Sequence, residues 1–288
     1  MTDRFIVKFN GGLGNQMSQY AFAKGMEQKT GMKAVFDMSF FEKRYARPFE
    51  LGIFGIEPEK ISKLSDKLKL SIIWKFRRKL NNKTFMGIKL ISEENPLQYY
   101  DFDITPNTYI EGFFQSDKYF RDFDLGFEFQ NELNEKNKEI SEQIKNSESI
   151  SLHIRRGDYV KKKVYQNMFA TCSPDYYKRA VDIITNIHPR DNYKLFIFSD
   201  DIKWVKENIK LPYEMVYVDF NKGKESYNDM RLMSMCKHNV IANSSFSWWG
   251  AYLNKNHYKV VVAPQKWFNE DTQNQHDVIP EKWIRIEN

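Results

Sequence analysis

The sharpest chemical signal is His153-Ile154-Arg155-Arg156-Gly157-Asp158-Tyr159. Alternation at a strand end puts His153 and Arg155 on one face and Arg156 on the other. Arginine presents a planar fork that bonds phosphate oxygens in pairs and keeps its charge, so this pair suits a nucleotide diphosphate. The bland alternative is an internal salt bridge to Asp158, and for Arg156 a structural role is favoured. Gly11-Gly12-Leu13-Gly14-Asn15-Gln16 opens a helix after a strand, where backbone N–H groups and the helix dipole meet anions or sugars. Asp37 stands where a ribose-binding acid would stand, but Met17 replaces the third glycine of a dinucleotide fingerprint. Asn243-Ser244-Ser245-Phe246-Ser247 offers hydroxyls and amides at another helix start, with Phe246 able to cover a base and Trp248 and Trp249 packing below. Ser199-Asp200-Asp201 reads either as a metal-binding pair or as a helix cap. Asp101/Asp103 and Asp122/Asp124 match a DxD metal pattern that chance often produces.

These segments need elements to hold them. A strand over 5–9, a turn over 10–14, a helix over 16–30 and a strand over 34–36 form the first β-turn-α-β unit. Apolar residues between Ile61 and Leu80 fall at helical spacing. Residues 60–90 carry ten Lys/Arg against one acid, Asp66, which makes the segment basic and amphipathic. A polar helix over 130–146 ends in Asn146-Ser147-Glu148-Ser149, the best candidate linker. Strands at 149–154, 194–198, 215–218, 239–242 and 259–263 then alternate with helices at 176–186, 204–208 and 229–236. Such alternation implies an α/β class with parallel sheets covered on both faces. The expected organisation is two Rossmann-like domains, 1–148 and 149–288, with the polar motifs at the carboxyl ends of strands, where such sheets bind ligands.

Composition excludes several classes. The chain has 288 residues, 41% hydrophobic and 28% charged, too rich in apolar residues for a disordered tail. Mean hydropathy is −0.65, and no run approaches the ~20 apolar residues of a membrane span. The N-terminus turns polar too soon for a signal-peptide core. Cys172 and Cys236 form no CxxC pair, which fits a reducing cytoplasm, where the sequons at Asn82 and Asn243 stay unmodified. Aromatic residues reach 16% and serve first as core. The net charge of +6 is modest and singles out no nucleic-acid partner.

Taken together, GGLGNQM, HIRRGDY, FSDD and NSSFSWWGAYL resemble the α-1,2-fucosyltransferase family of bacteria and animals, in order and spacing, from residue 4 to about 268. The resemblance implies a GT-B fold, with two Rossmann-like domains facing across a cleft. It implies GDP-fucose as donor, a terminal β-galactoside as acceptor, inversion at the fucose carbon, and no metal or other cofactor. By similarity to the wider fucosyltransferase group, Arg155 looks like the arginine on the donor β-phosphate and His153 like the histidine beside the nucleoside. Asp229 is similar to the acid that reads guanine N1 and N2. Ser244, Ser245 and Phe246 look like diphosphate and base contacts, joined by Gly12 and Gly14 of the first turn. Asn15 is similar to an asparagine near the reacting carbon. The α-1,6 enzymes carry a glutamate base five residues after the motif aspartate, where this chain has Lys163. Asp158 is the first candidate for the base in its place, and a late deprotonation would need no strong base.

Two other functions compete with transfer. A nicotinamide-dependent oxidoreductase would use the first turn and Asp37 but leaves HIRRGDY and NSSFSWW unexplained. A non-enzymatic sugar- or nucleotide-binding protein would hold the same ligands without transfer. The expected location is the cytoplasm. Lys63, Lys67, Lys69, Lys75 and neighbouring cations would allow peripheral contact with the anionic inner leaflet; the plainer alternative is a solvated helix packed through Ile61, Leu64, Leu68 and Ile72.

Overall fold

The computed structural model describes residues 3–43, 47–61, 72, 83–270 and 276–288. The chain divides into two compact units, Met1–Gln130 with Gln275–Val278, and Asn131–Asn274 with Ile279–Asn288.

In the first unit, β1 (Arg4–Lys8), α1 (Leu13–Thr30) and β2 (Lys33–Asp37) form the expected β-turn-α-β. The helix starts three residues earlier than its apolar pattern suggested, because Gly12 supplies an extended N-cap. Gly31, left-handed at φ 71°, ends it. The sheet also contains β3 (Thr84–Phe85), β4 (Ile88–Ser92) and β5 (Thr108–Glu111), which the sequence pattern did not reveal. They are short, and only a Met86-Gly87 turn with positive φ marks the β3–β4 hairpin. Strand order among the described residues is β2-β1-β5-β4-β3, all parallel except that hairpin. Ile6, Val35, Leu90 and Tyr109 fill one face of the sheet, together with Ile61. Ile72 is exposed, and the rest of the helix expected over 61–80 lies outside the described residues.

The second unit begins with α2 (Glu135–Lys145), capped by the Asn134 side chain, which accepts from the amide of Asn137. Its Ile140 and Ile144 pack on Phe196, Phe198 and Val218, so the helix belongs to this unit. Asn146 to Ser149, expected as the interdomain linker, is the turn from α2 into β6 (Glu148–Ile154), and the division falls at Gln130 instead. Then follow α3 (Gly157–Lys161), α4 (Lys163–Met168), α5 (Pro174–Ile187), β7 (Tyr193–Ser199), α6 (Ile202–Asn208), β8 (Glu214–Val218), α7 (Tyr227–Met235), β9 (His238–Val240), α8 (Ser245–Tyr252), β10 (Val261–Pro264) and β11 (Ile284–Ile286). The sheet is parallel throughout, in the order β11-β10-β9-β6-β7-β8. Alternation assigns its two faces. Ile150, Leu152, Leu195 and Ile197 meet Tyr176, Tyr177, Ala180 and Ile184 of α5, while Phe196 and Phe198 face α2 and α7.

In the second sheet the chain leads away in opposite directions from the neighbours β6 and β9, and in the first β1 leads to β2 on one side while β5 beside it is reached from β4 on the other. Open parallel sheets bind ligands at such places, beyond the carboxyl ends of the strands. The first turn and the Glu111–Gln115 segment follow β1 and β5; HIRRGDY and NSSFS follow β6 and β9.

Gly25 provides a test of the first unit's packing. A Cβ there would lie 2.0 Å from the Tyr119 carbonyl oxygen, which is backbone and cannot turn aside. Helix propensity alone would make Gly25→Ala stabilising by ~1 kcal/mol. Overpacking should win, lowering the unfolding free energy by about 2–3 kcal/mol in urea titrations. A more stable Gly25→Ala protein would contradict this packing of α1.

Candidate active site

In the second unit, one carboxylate organises the end of β6. Asp200 Oδ1 accepts the backbone N–H groups of Arg156 at 2.8 Å and Gly157 at 2.9 Å, and Oδ2 takes the Arg155 Nη1 hydrogen bond. Strand register brings this about, since Ile154 pairs with Ser199 and places Asp200 beside the turn that follows β6. Ser199 Oγ donates to the Ile154 carbonyl at 2.8 Å, tying the two strand ends together. Asp201 caps α6 through the Trp204 amide at 3.3 Å. The FSDD segment, read from sequence as a metal pair or a cap, thus acts as a clamp at Asp200 and a cap at Asp201. Arg155 reaches Asp158 only at 3.9 Å, and Asp158 has a nearer partner in Lys162 at 3.2 Å. The second arginine has a different setting. Arg156 lies over the Trp204 ring at 3.6 Å and near Asp201 at 3.8 Å, which fits the structural role expected of it.

His153 is buried at the same strand end, and its Nδ1 has no hydrogen-bond partner among the described residues. Burial pushes its pKa down to about 4, with the Asp200 carboxylate opposing that shift, so the ring is neutral at physiological pH. Phe246 sits with its ring 6.0 Å from the imidazole, and Ser244 and Ser245 share its half-buried setting at the start of α8. Trp248 and Trp249 are buried beneath, as the sequence suggested. The Tyr177 hydroxyl donates to the His153 carbonyl at 3.1 Å, and that of Tyr176 to the Ile241 carbonyl at 2.7 Å, fixing the ends of β6 and β9 from α5. The Tyr159 hydroxyl donates to the Asn243 carbonyl at 3.2 Å. Sequence reading missed all three tyrosines as positioning groups, since buried aromatics signal core first. Asp229 stands in the first turn of α7. Burial pushes its pKa up to about 7, while hydrogen bonding from Asn221 Nδ2, at 2.8 Å, pulls the other way.

In the first unit, Gly12, Gly14 and Asn15 lie at the start of α1 as expected. Gly11 has φ 82°, and a Cβ there would meet Asn15 Nδ2 at 2.6 Å. Asn15 Oδ1 accepts from Gln115 Nε2 at 3.0 Å. Gln16, fully buried, donates to the carbonyls of Gly11 and Pro48 at 3.0 and 2.9 Å and accepts from the Glu50 amide at 2.8 Å. Glu93 Oε2 accepts the Phe113 amide at 2.6 Å, and its Oε1 that of Phe114 at 3.0 Å; burial pushes this carboxyl up to about 7. Asp37, the ribose acid of the dinucleotide alternative, is engaged internally by the Tyr109 hydroxyl at 2.9 Å and the Ser39 amide at 2.9 Å.

The clamp generates a test by double substitution. A Cβ on Gly157 would lie 2.4 Å from Asp200 Oδ2, so Gly157→Ala must displace the carboxylate from its partners. Hydrogen bonds to a charged group are worth ~1.5–3 kcal/mol, and we expect Gly157→Ala to cost about 2 kcal/mol in urea unfolding. In an Asp200→Ala background the same change should cost little, because the obstruction is gone. Additive costs would show that the two residues do not share one constraint.

The profile of glycosyl transferase family 11 matches residues 1–287. The Escherichia coli alpha-1,2-colitosyltransferase is 33% identical, with 98% of each chain covered. The O-antigen biosynthesis glycosyltransferase WbnK of Escherichia coli is 30% identical over 96% of this chain and 98% of its own. Fucosyltransferase NodZ from Bradyrhizobium shares the fold at a TM-score of 0.51 and 16% identity, covering 87% of this chain and 92% of that one. NodZ co-crystallized with GDP gives 0.50 at 17% identity, over 88% and 93%. The two parallel α/β units are therefore of GT-B type, and the nicotinamide alternative falls away. Matched over nearly its whole length, the chain belongs to glycosyltransferase family 11.

Proposed function

We propose that this glycosyltransferase moves L-fucose from GDP-fucose to the 2-hydroxyl of a terminal β-galactoside, with inversion, in O-antigen or other surface-glycan synthesis. One observation carries the reading: at the strand reversal of the second sheet the His153 ring lies 6.0 Å from Phe246 of the segment after β9, and Arg155 follows His153 just past the end of β6. Breaking the sugar–phosphate bond builds negative charge on GDP and oxocarbenium character on fucose. Arg155 keeps N–H groups beyond the one given to Asp200, and these would meet the β-phosphate. Amides at the start of α8 would add neutral donors, with Ser244 and Ser245 alongside. Phe246 and His153 would flank the nucleoside, and Asp229 would accept from guanine N1 and N2. In the first unit, Gly12 and Gly14 would let backbone approach the donor, and Asn15 would act near the reacting carbon. Asp158 is our candidate base, although its pairing with Lys162 favours a late proton transfer. No metal or other cofactor enters this scheme.

A second donor has a specific observation in its favour. The 33% relative is named for colitose, which is L-fucose without its 3-hydroxyl. Both sugars would use the same diphosphate and base contacts, so they differ only at the sugar ring. On location, no helix among the described residues is long and apolar enough to cross a membrane. We propose a cytoplasmic enzyme, with the basic segment over 60–90 giving peripheral contact with anionic lipid.

The deciding experiment is mass spectrometry of reactions with GDP-fucose and GDP-colitose on a panel of β-galactosides. A mass gain of one deoxyhexose on acceptors with a free 2-hydroxyl, lost on 2-deoxygalactosides and retained in excess EDTA, is the expected result. Transfer from GDP-colitose alone would replace the donor, and transfer from neither would overturn the reading. Arg155→Ala should lower turnover by ~10²–10³-fold, with only partial recovery in Arg155→Lys, which lacks the fork.

A further inference from the structure

Two buried asparagines far apart in sequence form a closed pair behind Asp229. Asn137, on α2, is fully buried, and Asn221, between β8 and α7, is 5% exposed. Asn137 Nδ2 donates to Asn221 Oδ1 at 2.9 Å, and Asn221 Nδ2 donates back to Asn137 Oδ1 at 2.9 Å. A primary amide has two N–H hydrogens, so each residue has one more to place. Asn137 gives its second to Asn134 Oδ1 at 3.0 Å, the same oxygen that caps α2. Asn221 gives its second to Asp229 Oδ1 at 2.8 Å. Every amide hydrogen of the pair is used, and neither side chain can rotate without stranding a buried polar group.

We propose that Asn221, locked by Asn137, is the positioning residue that sets Asp229 for guanine and so determines nucleotide selectivity; this rests on the assignment of Asp229 to the base. The network leaves Asp229 Oδ2 without a hydrogen bond among the described residues while Oδ1 is held in a fixed direction. Guanine offers two parallel donors, N1–H and N2–H, and only a carboxylate presented edge-on accepts both. The amide donor also favours the ionised form, as does the charge of Lys222, against the burial that raises this carboxyl's pKa. A protonated Asp229 would present a donor toward one guanine N–H and lose that contact. Phe220 and Phe246 are half-buried on the core cluster that α2 and α7 share, so the helix that supplies Asn137 packs on the same cluster as Phe246, the proposed base contact. Selectivity is thus built from α2, a helix outside every motif of the sequence.

The test compares calorimetric affinities of the full chain for GDP, IDP and ADP; IDP lacks only the N2 amine of GDP. Wild type should rank GDP above IDP above ADP. Asn221→Leu should bind GDP about tenfold more weakly, with ADP unchanged and the GDP-to-IDP ratio falling toward one. Asn137→Ala, which does not touch Asp229, should give part of the same loss. Should Asn221→Leu fail to fold by circular dichroism, the isosteric Asn221→Asp takes its place with the same expected fall in ratio. A folded Asn221 variant that keeps the wild-type ratios, or weakens all three nucleotides equally, overturns the proposal, provided Asp229→Asn does lose the ratios. If Asp229→Asn keeps them too, the assignment of Asp229 to guanine has failed instead, and the role of Asn221 with it.

Discussion

The second unit's candidate site depends on one carboxylate receiving three N–H groups. Asp200 gathers the amides of Arg156 and Gly157 and the guanidinium of Arg155. An arginine side chain held only at its Cα has about 2 kcal/mol of rotamer entropy to lose before it can grip anything. The clamp removes part of that freedom in advance and fixes the turn from which the chain enters α3. It also explains the glycine, since the space a Cβ at 157 would need is filled by Asp200. Because Asp200 is set by the pairing of Ile154 with Ser199, the register of β6 and β7 is the deeper constraint. A slip of one residue would carry the carboxylate to the other face of the sheet.

The first unit solves a similar problem with amides. Gln16 and Gln19 are fully buried, and each satisfies backbone groups around the turn after β1. Gln19 accepts from the Asn10 amide and donates to the Gly112 carbonyl, so it joins that turn to the segment after β5. Phe114 adopts φ 49°, unfavourable for a bulky side chain, and its N–H is held by the Glu93 carboxylate. Gly112 fits for the same reason as Gly157: a Cβ there would meet Glu93 atoms at 2.6 Å. In both units a carboxylate holds a turn against a glycine, Asp200 with Gly157 in one and Glu93 with Gly112 in the other.

How much of this the sequence disclosed follows from the range of the interactions involved. Local patterns were legible. The first β-turn-α-β, the strands through HIRRGDY and FSDD, and the helix after NSSFS all have periodicities or turn residues that act within a few positions. The short strands β4 and β5 were not, because four or five residues beside polar loops leave too little alternation to stand out. The turn at Asn146 looked like a linker by composition, yet packing of Ile140 and Ile144 keeps α2 with the second unit. Contacts such as Gln115 to Asn15, Asn221 to Asn137 and Tyr177 to His153 join residues that only the fold brings together. Asp200 was visible as a residue but not in its role, since an acidic pair after a strand fits a metal, a cap or a clamp equally well until the register is known.

The two halves of HIRRGDY also show how charge is rationed in the proposed donor site. His153 stands nearest the strand end, but burial keeps it neutral, so it adds no cation. Arg156 is turned to Trp204 and Asp201. Arg155 is then the one member of the motif whose charge is available to a diphosphate, and Asp200 already offsets part of it. In the proposed scheme the rest of the stabilisation comes from neutral donors at the start of α8, whose strength depends on orientation more than on charge. That division suits the proposed reaction, in which the already anionic diphosphate gains further negative charge as the sugar leaves. Fixed dipoles act on the developing charge without reorganising, and in the proposed scheme a partly compensated Arg155 would limit how tightly the product nucleotide is held. Were the donor GDP-linked as proposed, a further cation would strengthen the grip on the nucleotide before and after the bond breaks, raising affinity for both ends of the reaction with no gain at its midpoint.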